Sequence, residues 1–323
     1  MKKVLFVSLF TAAVMLLLPL SIMKKSIPSI LTTAIQNGET GQKEIKNGST
    51  SFKVCNSESG EITEIDTQDY IFSVVAAEMP ALYEEEALKA QAVAAYTFAL
   101  SRKAENSDKT YDITTDHTVD QSYITEQQAR DKWGDNADEY TEKIKKAIEE
   151  VSDYVITYDG NVITSVYHAI SGGKTEDSKN VWGISLPYLK PVSSEGDKLS
   201  SDYKTEVSFT TEEMKEKLSD EFEPADSDEN FFSDIKRTDS GTVTGIKVCG
   251  KEITGARLRS ILDLRSSNFE VNYSDGKYTF TVYGYGHCVG MSQNGANYMA
   301  KQGSDFKEIL THYYTGCKIE KLK

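Results

Sequence analysis

The side chains best suited to chemistry fall in four short segments, three where polar residues interrupt apolar or glycine-rich surroundings and one in a polar loop. They are Ala76-Ala77-Glu78-Met79-Pro80, Asp116-His117-Thr118-Val119-Asp120-Gln121-Ser122-Tyr123, Tyr167-His168-Ala169-Ile170-Ser171-Gly172-Gly173 and Gly284-Tyr285-Gly286-His287-Cys288-Val289-Gly290-Met291-Ser292-Gln293. Glu78 closes the apolar run Ile71 to Ala77. A carboxylate in that position loses solvation, which favours its protonated form and suits a general acid. A surface glutamate at a helix end is the plainer alternative.

Ser171-Gly172-Gly173-Lys174-Thr175 is no phosphate-binding loop, because GxxxxGK[ST] requires glycine where His168 stands. A tight turn that brings backbone donors close to a ligand is the remaining functional reading. Gly290-Met291-Ser292-Gln293-Asn294-Gly295 has one residue too many for a GxSxG nucleophile elbow. A Ser292–His287 dyad stays open as an alternative. His287, Cys288, His312 and Cys317 match no usual zinc spacing, and adjacent ligands are geometrically awkward. No metal and no cofactor is expected.

The elements that must position these residues are readable from pattern. Tyr83 to Ala104 is predicted as the strongest helix, with Glu84, Glu85 and Glu86 in its first turn, Arg102 and Lys103 in its last, and many alanines for close packing. Glu126 to Ser152 reads as one helix. Tyr154–Tyr158 and Val162–Tyr167 read as strands around Asp159-Gly160-Asn161. Thr210 and Glu213 form a capping box that opens a helix through Leu218. Val243–Val248 and Glu252–Thr254 form a hairpin around Gly250, Arg257–Leu264 a short helix, Phe269–Tyr273 and Tyr278–Tyr283 a hairpin across Asp275-Gly276, and Phe306–Tyr314 a last helix. Helices and strands alternate without βαβ regularity, so the expected class is α+β, one elongated body behind an N-terminal transmembrane helix. Residues 190–240 are acidic and carry no readable chemistry.

The chain has 323 residues and a net charge of -14, with 39% hydrophobic residues. That is enough apolar material for a real core and excludes wholesale disorder. The acidic balance argues against nucleic acid, whose phosphates need clustered Lys and Arg. Val4 to Met23 carries no charge, is preceded by Lys2 and Lys3, and is followed by Lys24 and Lys25 instead of a small-residue cleavage site. At about 1.5 Å per residue such a run spans roughly the bilayer core. The expected organisation is a membrane anchor over 1–25, a flexible stalk over 26–60 and a body over 61–323 that faces the extracytoplasmic space. Four scattered cysteines without a CxxC pair make no disulfide framework.

Taken in order, Ala77-Glu78-Met79-Pro80, Glu86 to Ala95, Asp120-Gln121-Ser122-Tyr123, Ser171-Gly172-Gly173, Val181-Trp182, Pro187-Tyr188-Leu189 and Gly286-His287-x-Val289-Gly290-Met291-Ser292-Gln293 resemble the SpoIID family of lytic transglycosylases across residues 60–320. The resemblance implies an enzyme that cleaves peptidoglycan glycan strands, preferably those stripped of stem peptides, during engulfment in sporulation. It implies Glu78 as the single acid/base, and work beside a partner amidase (SpoIIP-like) and a membrane scaffold (SpoIIM-like). For the surrounding sugar-binding shell the candidates are Gln121, Tyr123, Ser171, His287, Ser292 and Gln293, with Trp182 or Tyr188 stacking on sugar or filling the core.

Three positions depart from the family pattern. Tyr96 stands where arginine is frequent, and Cys288 where glycine is usual. Thr114 to Asp120 lacks the cysteines by which some clostridial members bind zinc, with Val119-Asp120 at the His-Cys positions. Two other readings compete: a non-catalytic wall-binding module that recruits or stimulates an amidase, as the related amidase-enhancer proteins are thought to do, and a hydrolase using Ser292 or Cys288 with His287.

Overall fold

The structure is a computed structural model that describes residues 48–223, 227 and 229–322. The expected anchor, and the expected stalk up to residue 47, lie outside the described residues. Among the described residues no helix is long and apolar enough to cross a membrane.

Strand β1 (Ser51–Cys55) pairs antiparallel with β2 (Ile62–Asp66) and parallel with β3 (Ile113–Thr114). Phe52 and Val54 are buried. The folded body therefore reaches back to Ser51, into the segment whose polar composition reads as stalk. Two apolar residues at strand spacing are too short a signal to outweigh that composition.

Helix α1 (Thr67–Glu78) is capped by the Asp66 carboxylate, which accepts from the Gln68 N–H at 2.7 Å. Its end is set by Pro80. The residue before a proline avoids the helical region, and Met79 is extended at φ −126°, ψ 137°. The helix stops with Glu78 as its final residue. Helix α2 (Glu85–Glu105) is buried on nearly all sides, the signature of a central helix. Around it pack α1, α4 (Ala137–Glu150), α8 (Gln293–Lys301), α9 (Phe306–Tyr313) and β4 (Tyr154–Tyr158). Its alanines keep the neighbours close.

The single helix expected over 126–152 is two. Gly134, at φ 57°, ends α3 (Glu126–Trp133), and a 3-10 turn over Gly134–Asn136 leads into α4. β4 turns through Asp159-Gly160 into β5 (Asn161–Val162), and β14 (Lys318–Lys321) covers its other edge. The strand expected over 162–167 ends at Val162. β6 (Tyr167–His168) instead pairs parallel with β13 (Met291–Ser292), which joins two of the chemistry-bearing segments.

After α5 (Ser178–Trp182) and a 3-10 turn at Glu195–Leu199, the chain leaves the main core. It builds a lobe from β7 (Lys204–Thr210), α6 (Thr211–Leu218), β8 (Phe232–Arg237), β9 (Val243–Val248), β10 (Lys251–Ile253), α7 (Gly255–Leu262), β11 (Phe269–Ser274) and β12 (Lys277–Tyr283). Its sheets run β11-β12-β7 and β10-β9-β8. The Thr210/Glu213 capping box and both hairpins are present as the sequence predicts. The lobe has its own core around Phe231, Phe269, Tyr278 and Phe280. The chain returns through residues 284–290 to β13. Helices and strands mixed in this way make the fold α+β.

Candidate active site

Glu78 is half-buried at the end of α1. Its Oε1 accepts from the Ser122 backbone N–H at 2.9 Å, and its Oε2 accepts from Gln293 Nε2 at 3.3 Å. Thus three separate segments meet at one carboxylate. Gln293 Nε2 also donates to Gln91 Oε1 at 3.3 Å. Behind them Gln121 donates to the Tyr70 hydroxyl at 3.1 Å and to the Ala95 carbonyl at 3.3 Å, and accepts from the Tyr167 hydroxyl at 2.7 Å. Burial pushes Tyr70 and Tyr167 well above the ordinary tyrosine range, with the charge of Glu78 adding to it, so both stay neutral. Tyr123 stacks on Tyr70 with ring centroids 6.0 Å apart.

The loop that supplies Ser122 is pinned from below. Arg102 Nε donates to Asp120 Oδ1 at 2.6 Å, and Asp120 Oδ2 accepts from the Thr114 N–H and hydroxyl at 2.8 and 2.9 Å. Asp120 is therefore saturated by this chain's own donors. Among the described residues no group of three or more His, Cys, Asp or Glu is placed to hold a metal ion.

Asp197 was hidden in the acidic stretch that reads as featureless. It is fully buried. Its carboxylate accepts from the Ser171 N–H at 2.8 Å, the Ser171 hydroxyl at 2.6 Å, the Ser292 hydroxyl at 2.7 Å and Asn294 Nδ2 at 3.3 Å. Ser292 also caps α8 by accepting from the Gly295 N–H. Ser171 and Ser292 are fully buried and spent on these bonds. They hold Gln293 in place from behind and do not join Glu78. Gly290 shows why the approach needs glycine: at φ 72°, a Cβ would lie 2.0 Å from the Val166 carbonyl oxygen.

The His287 pairing with Ser292 does not form. His287 Nδ1 accepts from the Val289 N–H at 3.1 Å, and its ring lies 5.0 Å from that of Trp182 and 5.7 Å from that of His168. Burial, reinforced by His168 and Arg259, lowers His287 to about 3. His168 donates Nδ1–H to the Val289 carbonyl at 3.1 Å, and burial lowers it to about 4. Cys288 is buried at φ 62°, a backbone conformation that favours glycine, and burial raises its thiol to about 12. Such a thiol supplies no thiolate at neutral pH. Tyr188 is in the core. Tyr96 accepts from the Ser49 N–H at 3.0 Å and meets the Phe52 ring edge, so it anchors the entry into β1 and takes no part in holding Glu78.

Of the residues singled out in sequence, Glu78, Gln121 and Gln293 come together, with Tyr123 alongside through Tyr70. Gln91, Tyr70 and Tyr167 were missed. The available signal was Gln91, a lone amide in an alanine-rich helix.

The SpoIID family model, described as stage II sporulation protein, matches residues 55–158. The chain is 33% identical to stage II sporulation protein D of Bacillus amyloliquefaciens over 288 residues, covering 88% of this chain and 83% of that one. It is 32% identical to the protein of the same name from Bacillus subtilis over 282 residues, covering 86% and 81%. It is also 27% identical to the amidase enhancer of Bacillus subtilis over 304 residues, 76% of this chain and 39% of that protein. The chain belongs to the SpoIID family of sporulation proteins.

Proposed function

We propose that this protein is a membrane-anchored lytic transglycosylase that cleaves peptidoglycan glycan strands with Glu78 as sole acid/base. The observation that carries this reading is the state of the carboxylates. Glu78 is half-exposed and held by one backbone N–H and one amide. Asp120 and Asp197, in the segments that pack around it, are filled by their own donors. A retaining or inverting hydrolase usually works with two available carboxylates. A lytic transglycosylase needs one. Glu78 protonates the glycosidic oxygen, then takes the proton of the sugar's C6 hydroxyl as that oxygen attacks C1. The product is a 1,6-anhydro-muramyl end, and no water is consumed.

The Ser122 N–H on Oε1 and the Gln293 amide on Oε2 fix the orientation in which the carboxyl would meet the glycosidic oxygen. Val4 to Met23 would hold the body on the outer face of the membrane. The family resemblance adds a partner amidase and a membrane scaffold as companions during engulfment. Glu78→Gln tests the assignment. It preserves shape, so cleavage of purified glycan strands is expected to fall by about 10²–10⁴-fold while strand binding persists.

Likeness to an amidase enhancer favours a second reading, a wall-binding module that stimulates an amidase. That reading expects Glu78→Gln to leave amidase stimulation intact and the wild type to cleave nothing by itself.

A further inference from the structure

Gln91 is fully buried in α2, among Ala87, Ala90, Ala92, Ala94 and Ala95. Its Oε1 accepts from Gln293 Nε2 at 3.3 Å. Its own Nε2 meets no acceptor in full hydrogen-bond geometry; the acceptor beside it is the Tyr167 hydroxyl oxygen, which gives its proton to Gln121 and so presents lone pairs to the Gln91 NH2. Turning the Gln91 amide over does not help, because its NH2 would then face the NH2 of Gln293, donor against donor. Turning both amides would pair them, yet would set the Gln293 carbonyl against Glu78 Oε2, oxygen against an ionised oxygen. Gln91 Oε1 and the Glu78 carboxylate therefore fix the Gln293 amide in one orientation, with its NH2 shared between them.

We propose that Gln91 is a positioning residue: by offering Oε1 to Gln293 it locks the Gln293 amide with its NH2 toward Glu78, and so stabilises the ionised form that must act as base. Its catalytic consequence rests on the proposed role of Glu78; the orientation of the amide does not. Gln91→Met keeps length and burial but removes the acceptor. Gln293 is then free to turn its carbonyl toward a protonated Glu78. Gln91→Glu keeps an oxygen acceptor at the same place.

The test uses the full chain in detergent, labelled with nitrogen-15 at glutamine side chains. In the wild type and in Gln91→Glu, the Gln293 NH2 resonances are expected to follow the titration of the neighbouring carboxyl. In Gln91→Met that response is expected to be larger, because the amide then turns over as the carboxyl is protonated. The same variant is expected to lose roughly tenfold in kcat/KM, with the alkaline limb of its pH–rate profile displaced to higher pH. An equal response of the Gln293 NH2 in Gln91→Met and wild type, or an unmoved pH profile, overturns the proposal. A wild type that cleaves nothing overturns the enzymatic reading alone, since the resonance test needs no turnover.

Discussion

Four hydrogen bonds converge on the buried carboxylate of Asp197, two from Ser171 and one each from Ser292 and Asn294. Removing that acceptor strands the buried Ser171 N–H and hydroxyl, and leaves Ser292 and Asn294 only their bonds to the Ala169 and Gly196 carbonyls. Asp197→Ala is therefore expected to lower the free energy of unfolding by about 3–5 kcal/mol, read from urea denaturation. Lys198→Ala, next to it on the surface, is expected to shift it by no more than about 0.5 kcal/mol. A loss under about 1 kcal/mol in Asp197→Ala would show that the two serines are not held as described. Glu78 was legible in sequence as a lone carboxylate closing an apolar run, whereas Gln121 and Gln293, each among polar neighbours, were legible only through the motifs of the family resemblance. Asp197 was not, because it sits among acids that all look alike until the fold closes around one of them. Ser171 and Ser292 stood out by their glycine neighbours, and those glycines mark tight backbone approach, not exposure to a ligand.

At the level of elements, placement of Glu78 depends on one helix stop, one helix start and one clamp. Pro80 ends α1, Ser292 starts α8, and the Arg102–Asp120 pair clamps the loop that carries Ser122. Arg102→Met retains the aliphatic stem but leaves Asp120 buried without its counter-charge. A loss of about 3–5 kcal/mol is expected by thermal or urea unfolding. Asp120→Asn placed on top of Arg102→Met is expected to restore part of that loss, and no restoration would count against a charge clamp. The Thr210/Glu213 capping box and three hairpins were legible because caps and tight turns act locally, as at Asp275-Gly276 with φ 52° and 74°; the boxes at Thr125/Gln128 and Asp305/Glu308 were missed. The break at Gly134 was readable in principle from the glycine itself. The pairing of β6 with β13 was not: two-residue strands carry no periodicity, and their partner lies far along the chain.

On the scale of the whole molecule, a lobe with its own core is inserted between the turn at Glu195–Leu199 and the return at Gly284. The seam is polar. Glu176, fully buried in the main body, accepts from Thr238 of the lobe at 2.6 Å, and Ser240 donates to the Thr175 carbonyl at 2.8 Å. The return loop crosses β6 at His168 and His287, which burial lowers from 6.5 to about 4 and about 3. Between those values and 6.5 the unfolded chain binds protons that the folded chain refuses. Their contribution to stability is therefore complete above about pH 6.5 and is lost as pH falls toward 4. Urea unfolding at pH 7 and pH 5 is expected to show the wild type weaker at pH 5, and His168→Gln with a smaller difference. An equal difference in both proteins would contradict it. The lobe's two hairpins and two helices were legible, but β7 and β8, in the weakly patterned stretch 190–240, were not, and neither was the separate core, because nothing local says which strands share an interior.

The central claim is that one carboxylate and the sugar's own hydroxyl break the glycan strand without water. Cleavage of peptide-free strands in oxygen-18 water, with products read by mass spectrometry, tests it most directly. We expect 1,6-anhydro-muramyl ends without the heavy isotope, formed by the wild type and not by Glu78→Gln. Reducing ends that carry the isotope would contradict the account and identify a hydrolase.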